Sequence, residues 1–217
     1  MEINIIFPQL LLQICFLTVV FLHITKKNLN AVIAYIIQSL AIILLLVNSF
    51  FETGNMSVLY SSLLLFTVKI VVAPIFFTSL IRKNKLIFSA STYLNAPLTL
   101  LSIAALTTIA YSYKLATLTS IIPANKEFLS LALAAMFSSL FLIVNRKGVL
   151  SQIIGILSLE NSIVAFSIFA GLEQSFSLQI GILFDLAIWS LIATAFSFMI
   201  YSHFGSFDVT TMKKLKD

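Results

Sequence analysis

Residues 58–81 read VLYSSLLLFTVKIVVAPIFFTSLI. The run is long enough to cross a bilayer, which takes about 20 mostly apolar residues at 1.5 Å each. One charge, Lys69, stands at its centre. A charge at that depth costs roughly 2.5–3.5 kcal/mol by insertion scales, and such residues mark ion or proton paths. Two further runs repeat the pattern. Residues 149–171 carry Glu160 near their middle, and 177–201 carry Asp185. Counted from the outer ends, Lys69 lies about 17 Å deep, Glu160 about 16 Å and Asp185 about 12 Å. Tilt blurs these depths by about 5 Å, so the three share one layer.

The rest of the chain is of the same kind. It is 60% hydrophobic and 10% charged, with a mean hydropathy of +1.08. That excludes an ordinary soluble domain and leaves no room for a separate catalytic one. The pattern predicts an all-α polytopic membrane protein with seven transmembrane helices: 3–24, 30–51, 58–81, 87–112, 126–144, 149–171 and 177–201. The longest loop, 113–125 with Pro123, divides a four-helix part (1–125) from a three-helix part (126–217) that ends in a polar tail, 202–217. With Glu2 in place of a basic region, the N-terminus does not read as a cleavable signal.

Positive charge alternates with the loops. Lys26 and Lys27, then Arg82, Lys83 and Lys85, then Arg146 and Lys147, then Lys213, Lys214 and Lys216 follow the odd spans. The even spans are followed by Glu52, by Lys114, Lys126 and Glu127, and by Glu173. The positive-inside rule puts the N-terminus outside and the C-terminus in the cytoplasm. Topology thus accounts for the net charge of +5, and no nucleic-acid partner is expected.

Bare charges at mid-membrane must face the bundle interior, pair, or meet water. Low dielectric favours the neutral form of acids and bases alike, so groups at this depth can exchange protons. Glu160, Asp185 and Lys69 are therefore the expected relay residues. The competing reading is a static buried pair that glues helices together. Polar support is expected from Gln38, Asn95 and Asn161.

Helix geometry refines the picture. Ser151, Gly155, Ser158 and Ser162 form a small-residue stripe that lets another helix approach closely. Glu160 sits about 160° around the helix from Ser162 and points to a different neighbour. Pro74 frees the carbonyl of Ile70, and Pro97, inside the fourth span, frees that of Tyr93. Trp189 reads as packing. Cys15, alone within the first span, reads as a small buried hydrophobe. His23 and His203 lie near the cytoplasmic surface, with nothing in their spacing for haem. No HExxH, GxSxG, Walker loop or CxxC occurs. No enzyme activity, metal or cofactor is expected in this chain.

Five segments carry a resemblance: NAVIAYIIQSLAI (30–42), LLLFTVKIVVAPI (63–75), GILSLEN (155–161), GILFDLAIWSL (181–191) and FGSFDVTTMKKLKD (204–217). In order and in length they resemble the hydrogenase-4 component E family. The C-terminal three spans are also similar to the K subunit of respiratory complex I and to the C subunit of Mrp-type antiporters. Glu160 matches the first acidic residue of those subunits. Asp185 falls in the second acidic region, as an aspartate where the K subunit typically has glutamate.

The resemblance implies a non-catalytic subunit of a redox-driven ion pump, set beside antiporter-like subunits in the cytoplasmic membrane of a bacterium or archaeon. Protons or sodium would be moved, and the metal chemistry would belong to other subunits. A structural subunit that only links its neighbours is the alternative. An independent small-molecule transporter is the third reading, which calls for internal repeats and paired broken helices.

Overall fold

The computed structural model describes residues 3–83, 92–115, 117 and 125–171. The seventh span (177–201), Asp185, Trp189, His203, Pro123 and the tail 202–217 lie outside the described residues. The described chain is mainly helical, and Thr92 and Arg146 form an isolated bridge between two of its connections. Its helices are α1 (Ile3–Ile24), α2 (Asn28–Thr53), α3 (Met56–Leu65), α4 (Ala73–Lys83), α5 (Ala96–Ala110), α6 (Lys126–Asn145) and α7 (Val149–Phe169). A π-helical segment, Phe66–Val72, joins α3 to α4 without a break. Five continuous stretches are long and apolar enough to cross a membrane: Ile6–Ile24, Asn28–Thr53, Met56–Arg82, Lys126–Asn145 and Val149–Phe169.

Local chemistry sets the helix ends. Gly54 takes the left-handed conformation (φ 67°) that stops α2, and its N–H returns to the Phe50 carbonyl. One residue later, the Asn55 side chain caps α3 by accepting from the Ser57 N–H. A tight reversal between two spans follows. Within 87–112, expected as the fourth span, the described helix is shorter, at 15 residues. It begins at Ala96, with Asn95 as N-cap and Pro97 in the first turn. There the missing proline N–H costs nothing, because no intrahelical partner is required of it. Tyr93 lies before the helix, and its N–H bonds the Asn145 carbonyl (2.9 Å). Pro97 is therefore a helix start and not a mid-span kink.

Helices from both sides of the 113–125 loop share one bundle. Neighbours α1, α2, α7 and α6 pack in a ring; α3, the π segment and α4 lie on α2, and α5 lies on α6 and α1. Successive spans run in opposite directions. Tyr93 meets Asn145 where α5 starts and α6 ends. Asn125 Nδ2 donates to the Phe169 carbonyl where α6 starts and α7 ends (2.9 Å). Lys26, Lys27, Arg82, Arg146 and Lys147 consequently gather at one end of the bundle. Glu52, Lys126 and Glu127 stand at the other.

Arg146 is not the solvated loop charge that its position implies. It is buried, and its Nη2 lies within bonding distance of the carbonyls of Leu22 (2.6 Å), His23 (2.9 Å) and Thr25 (2.8 Å). Those groups end α1, where carbonyls lack intrahelical partners. A cation there also meets the negative end of the helix dipole. Burial pushes the Arg146 pKa below its ordinary value, yet a guanidinium keeps its charge in proteins. His23, in the last turn of α1, is likewise buried against its neighbours. Its Nε2 bonds the Ser138 carbonyl (2.9 Å), and its ring stacks on Phe141.

Candidate functional site: a polar layer at mid-bundle

The buried side of the third span is Ser61, Leu65, Lys69, Ala73, Phe77 and Ile81. These positions recur every four residues. On a straight α-helix such a row advances by about 40° per step and drifts away from its neighbour. The π segment holds more residues in its turn, which rotates the row back. Within it the Ala73 N–H bonds the Val68 carbonyl, five residues behind. Continued by one residue, that register sets the missing Pro74 N–H against the carbonyl of Lys69, whereas an α-helical reading names Ile70. The wider turn also relieves the proline ring clash. Sequence and packing thus place Lys69 inside the bundle, at 1% exposure.

Lys69 Nζ lies 2.9 Å from Glu160 Oε1. It also donates to Asn161 Oδ1 at 2.7 Å. The Glu160 contact is Coulombic in character, because Oε1 accepts no hydrogen bond of regular geometry. From Asn161 the network continues into α2: Nδ2 donates to Ser39 Oγ (3.0 Å) and to Gln38 Oε1 (3.4 Å). Gln38 Nε2 reaches the Ser158 carbonyl (3.4 Å) and Cys15 Sγ (3.5 Å) in α1. A hydroxyl pair, Ser139 and Ser158 (3.0 Å), ties in α6. Polar contacts therefore connect five spans in one layer.

Asn161, Gln38, Ser39, Ser158 and Cys15 are all fully buried, while the Glu160 side chain keeps 17% of its surface. Buried polar atoms are tolerated only when bonded, and here nearly every atom is. Glu160 is the one charged member that reaches the surface of the described bundle. Tyr35, also fully buried, borders the layer with Ser39 and Glu160 as its polar neighbours.

Apolar clusters close the layer on both sides. Toward the Glu52 end lie Leu12, Ile42, Leu45, Leu129, Val164 and Phe169. Toward the Lys27 end lie Leu22, Val32, Phe77, Leu142, Ile154 and Leu157. The polar connections run across the bundle, from α1 to Glu160, and not along its axis.

Of the residues expected from the sequence, Lys69, Glu160, Gln38 and Asn161 come together here. Asn95 does not. Its Oδ1 caps α5 by accepting from the Leu98 N–H (3.0 Å), and the residue is exposed. Serine and asparagine are equally good at helix N-caps and as interhelical bonds, so the residue type alone could not assign it. The small-residue stripe of α7 faces α6: a Cβ on Gly155 would stand 2.9 Å from Ile143 Cγ1. Glu160 turns to the third span, as the helical angle requires. Ser39, Ser139 and Ser158 were missed as network members. Gln38–Ser39 is the only polar pair in the middle of its span, which is the signal that marks it.

Compared with protein-family models, curated proteins and solved structures, the chain matches none.

Proposed function

We propose that this chain is a non-catalytic membrane subunit of a hydrogenase-4-like or complex I-like ion pump. In this reading Glu160 and Lys69 pass protons, or respond to sodium, within the plane of the membrane. The observation that carries it is the ion pair at 2.9 Å, in which a lysine at 1% exposure faces the buried Oε1 of a glutamate whose side chain still keeps 17% of its surface. Burying an ion pair carries a desolvation cost that can exceed its attraction, so helix-joining alone is a weak reason to hold one here. A glutamate side chain that keeps some surface at the edge of the bundle is suited to exchange a proton with a group on a neighbouring helix. Asn161 accepts from the Lys69 ammonium and orients it toward Glu160.

The remaining parts rest on the resemblance. Seven spans, an outer N-terminus, a cytoplasmic C-terminus and a bacterial or archaeal cytoplasmic membrane are proposed with it. Asp185 is the second acid of the relay, and antiporter-like subunits are the neighbours. The basic end of the bundle, with Lys26 and Lys147, faces the cytoplasm.

The test is Glu160→Gln in the assembled complex. A proton carrier lost from the path lowers ion pumping, or coupled turnover, by about 10-fold or more. Turnover is read per assembled complex, because leaving buried Lys69 without its carboxylate also costs stability. A second reading, a structural linking subunit, draws on the same network, which joins five spans. It requires the opposite result: poor recovery of the complex, with unchanged turnover in what assembles.

A further inference from the structure

We propose that the groove between α1 and α2 seats an acyl chain of an anionic phospholipid, whose phosphate is held by Lys26 and Lys27. The groove is about 500 Å³ and is lined by Ile14, Leu17, Phe21, Ile33 and Ile37, with Asn30 toward one end. That size lies within the ligand-pocket range of about 300–1,000 Å³. Its apolar walls are open to the surroundings: Leu17 is 61% exposed and Ile33 54%. In a bilayer this surface meets lipid tails and not water.

The turn that joins the two helices closes one end of the groove. That turn contains Lys26 and Lys27, both exposed, and Phe21 and Asn30 are the lining residues nearest to it. A chain lying in the groove therefore ends in a headgroup beside two ammonium groups and an amide. Among the described residues neither lysine meets a carboxylate there. The acidic side chains of the described residues are Glu52, Glu127 and Glu160. The first two stand at the opposite end and the third in the mid-bundle layer. Two lysines beside an apolar slot favour a negative headgroup over a zwitterionic one. Asn30 is positioned to donate to a phosphate or glycerol oxygen. The site depends neither on the ion pair nor on the pump reading, and it holds whichever leaflet the basic end faces.

The full chain in nanodiscs of mixed phosphatidylglycerol and phosphatidylcholine supplies the test. Native mass spectrometry is expected to show phosphatidylglycerol retained in preference. Each lysine is worth about five-fold in that preference, so Lys26→Gln with Lys27→Gln lowers it about 25-fold. Because these lysines also bias insertion, Ile33→Trp serves as a second variant; it fills the slot, leaves the charges in place and removes the retained lipid. A benzophenone side chain at Ile37 is expected to crosslink lipid. Equal retention of both lipids, an unchanged preference in both variants, or crosslinking of Ile37 to a partner helix or to residues 177–201 would overturn the proposal.

Discussion

Lys69 and Arg146 are both buried cations, at 1% and 4% exposure, and the bundle answers them differently. Lys69 faces a side-chain carboxylate and an amide, Glu160 and Asn161. Arg146 faces backbone carbonyls at the end of α1. A carbonyl has no second protonation state, so the arginine clamp only holds structure. A carboxylate does have one, and the proposed relay role rests on that difference. Burial alone does not mark a functional charge; the chemistry of its partner does.

The strongest way to break this contrast is Lys69→Met. Removing one member of a buried pair costs about 3–5 kcal/mol, toward the lower figure here because Glu160 is partly exposed. Adding Glu160→Gln should restore much of that stability without restoring ion movement. Unfolding of the single and double variants in mixed micelles measures the coupling. A simple sum of two independent losses would separate the residues.

Arg146→Met is next. It strips the α1 carbonyls of their donor, at about 1–3 kcal/mol for unsatisfied buried groups. Turnover per assembled complex should stay at the wild-type level. A selective loss of pumping would erase the distinction between clamp and relay.

Gly155→Leu is expected to cost a similar or smaller amount, about 1–3 kcal/mol by overpacking against Ile143. It should lower stability while leaving the Lys69–Glu160 side of α7 intact. Turnover per folded complex reads this out.

Asn95→Ala is the smallest of the set. Loss of an N-cap costs about 1 kcal/mol. It should fray the start of α5 and leave ion movement alone, whereas Asn161→Ala should impair both. Hydrogen exchange across Ala96–Ala110 distinguishes a cap from a relay member.

Several features were legible from local chemistry. Helix α1 spans Ile3–Ile24, the stretch expected of the first span, and α2, α6 and α7 lie within a few residues of theirs. Glu160 was assigned away from the small-residue stripe by helical angle alone, and Gly155 does meet α6. The errors have a common cause. Asn95, Pro97 and Arg146 each have a type that serves two roles. Asparagine caps or bridges, proline starts or kinks, and a loop arginine is solvated or becomes a clamp. Which role holds depends on what the next helix brings alongside, and residue spacing within one helix carries no record of that.

Composition and apolar run length by themselves determined that this chain is helical and suited to a bilayer, because every backbone polar group in hydrocarbon must be bonded within its own segment. They also determined that Lys69 and Glu160 lie deep, since rise per residue converts sequence position into depth. Tertiary structure alone decided that the two charges meet, that Asn161 joins them to Gln38 and Ser39, and that Arg146 closes α1. Those contacts lie between residues separated by as many as 124 positions. Their distances follow from how helices rotate and pack against one another, and a π-helical turn of seven residues settles one of those rotations.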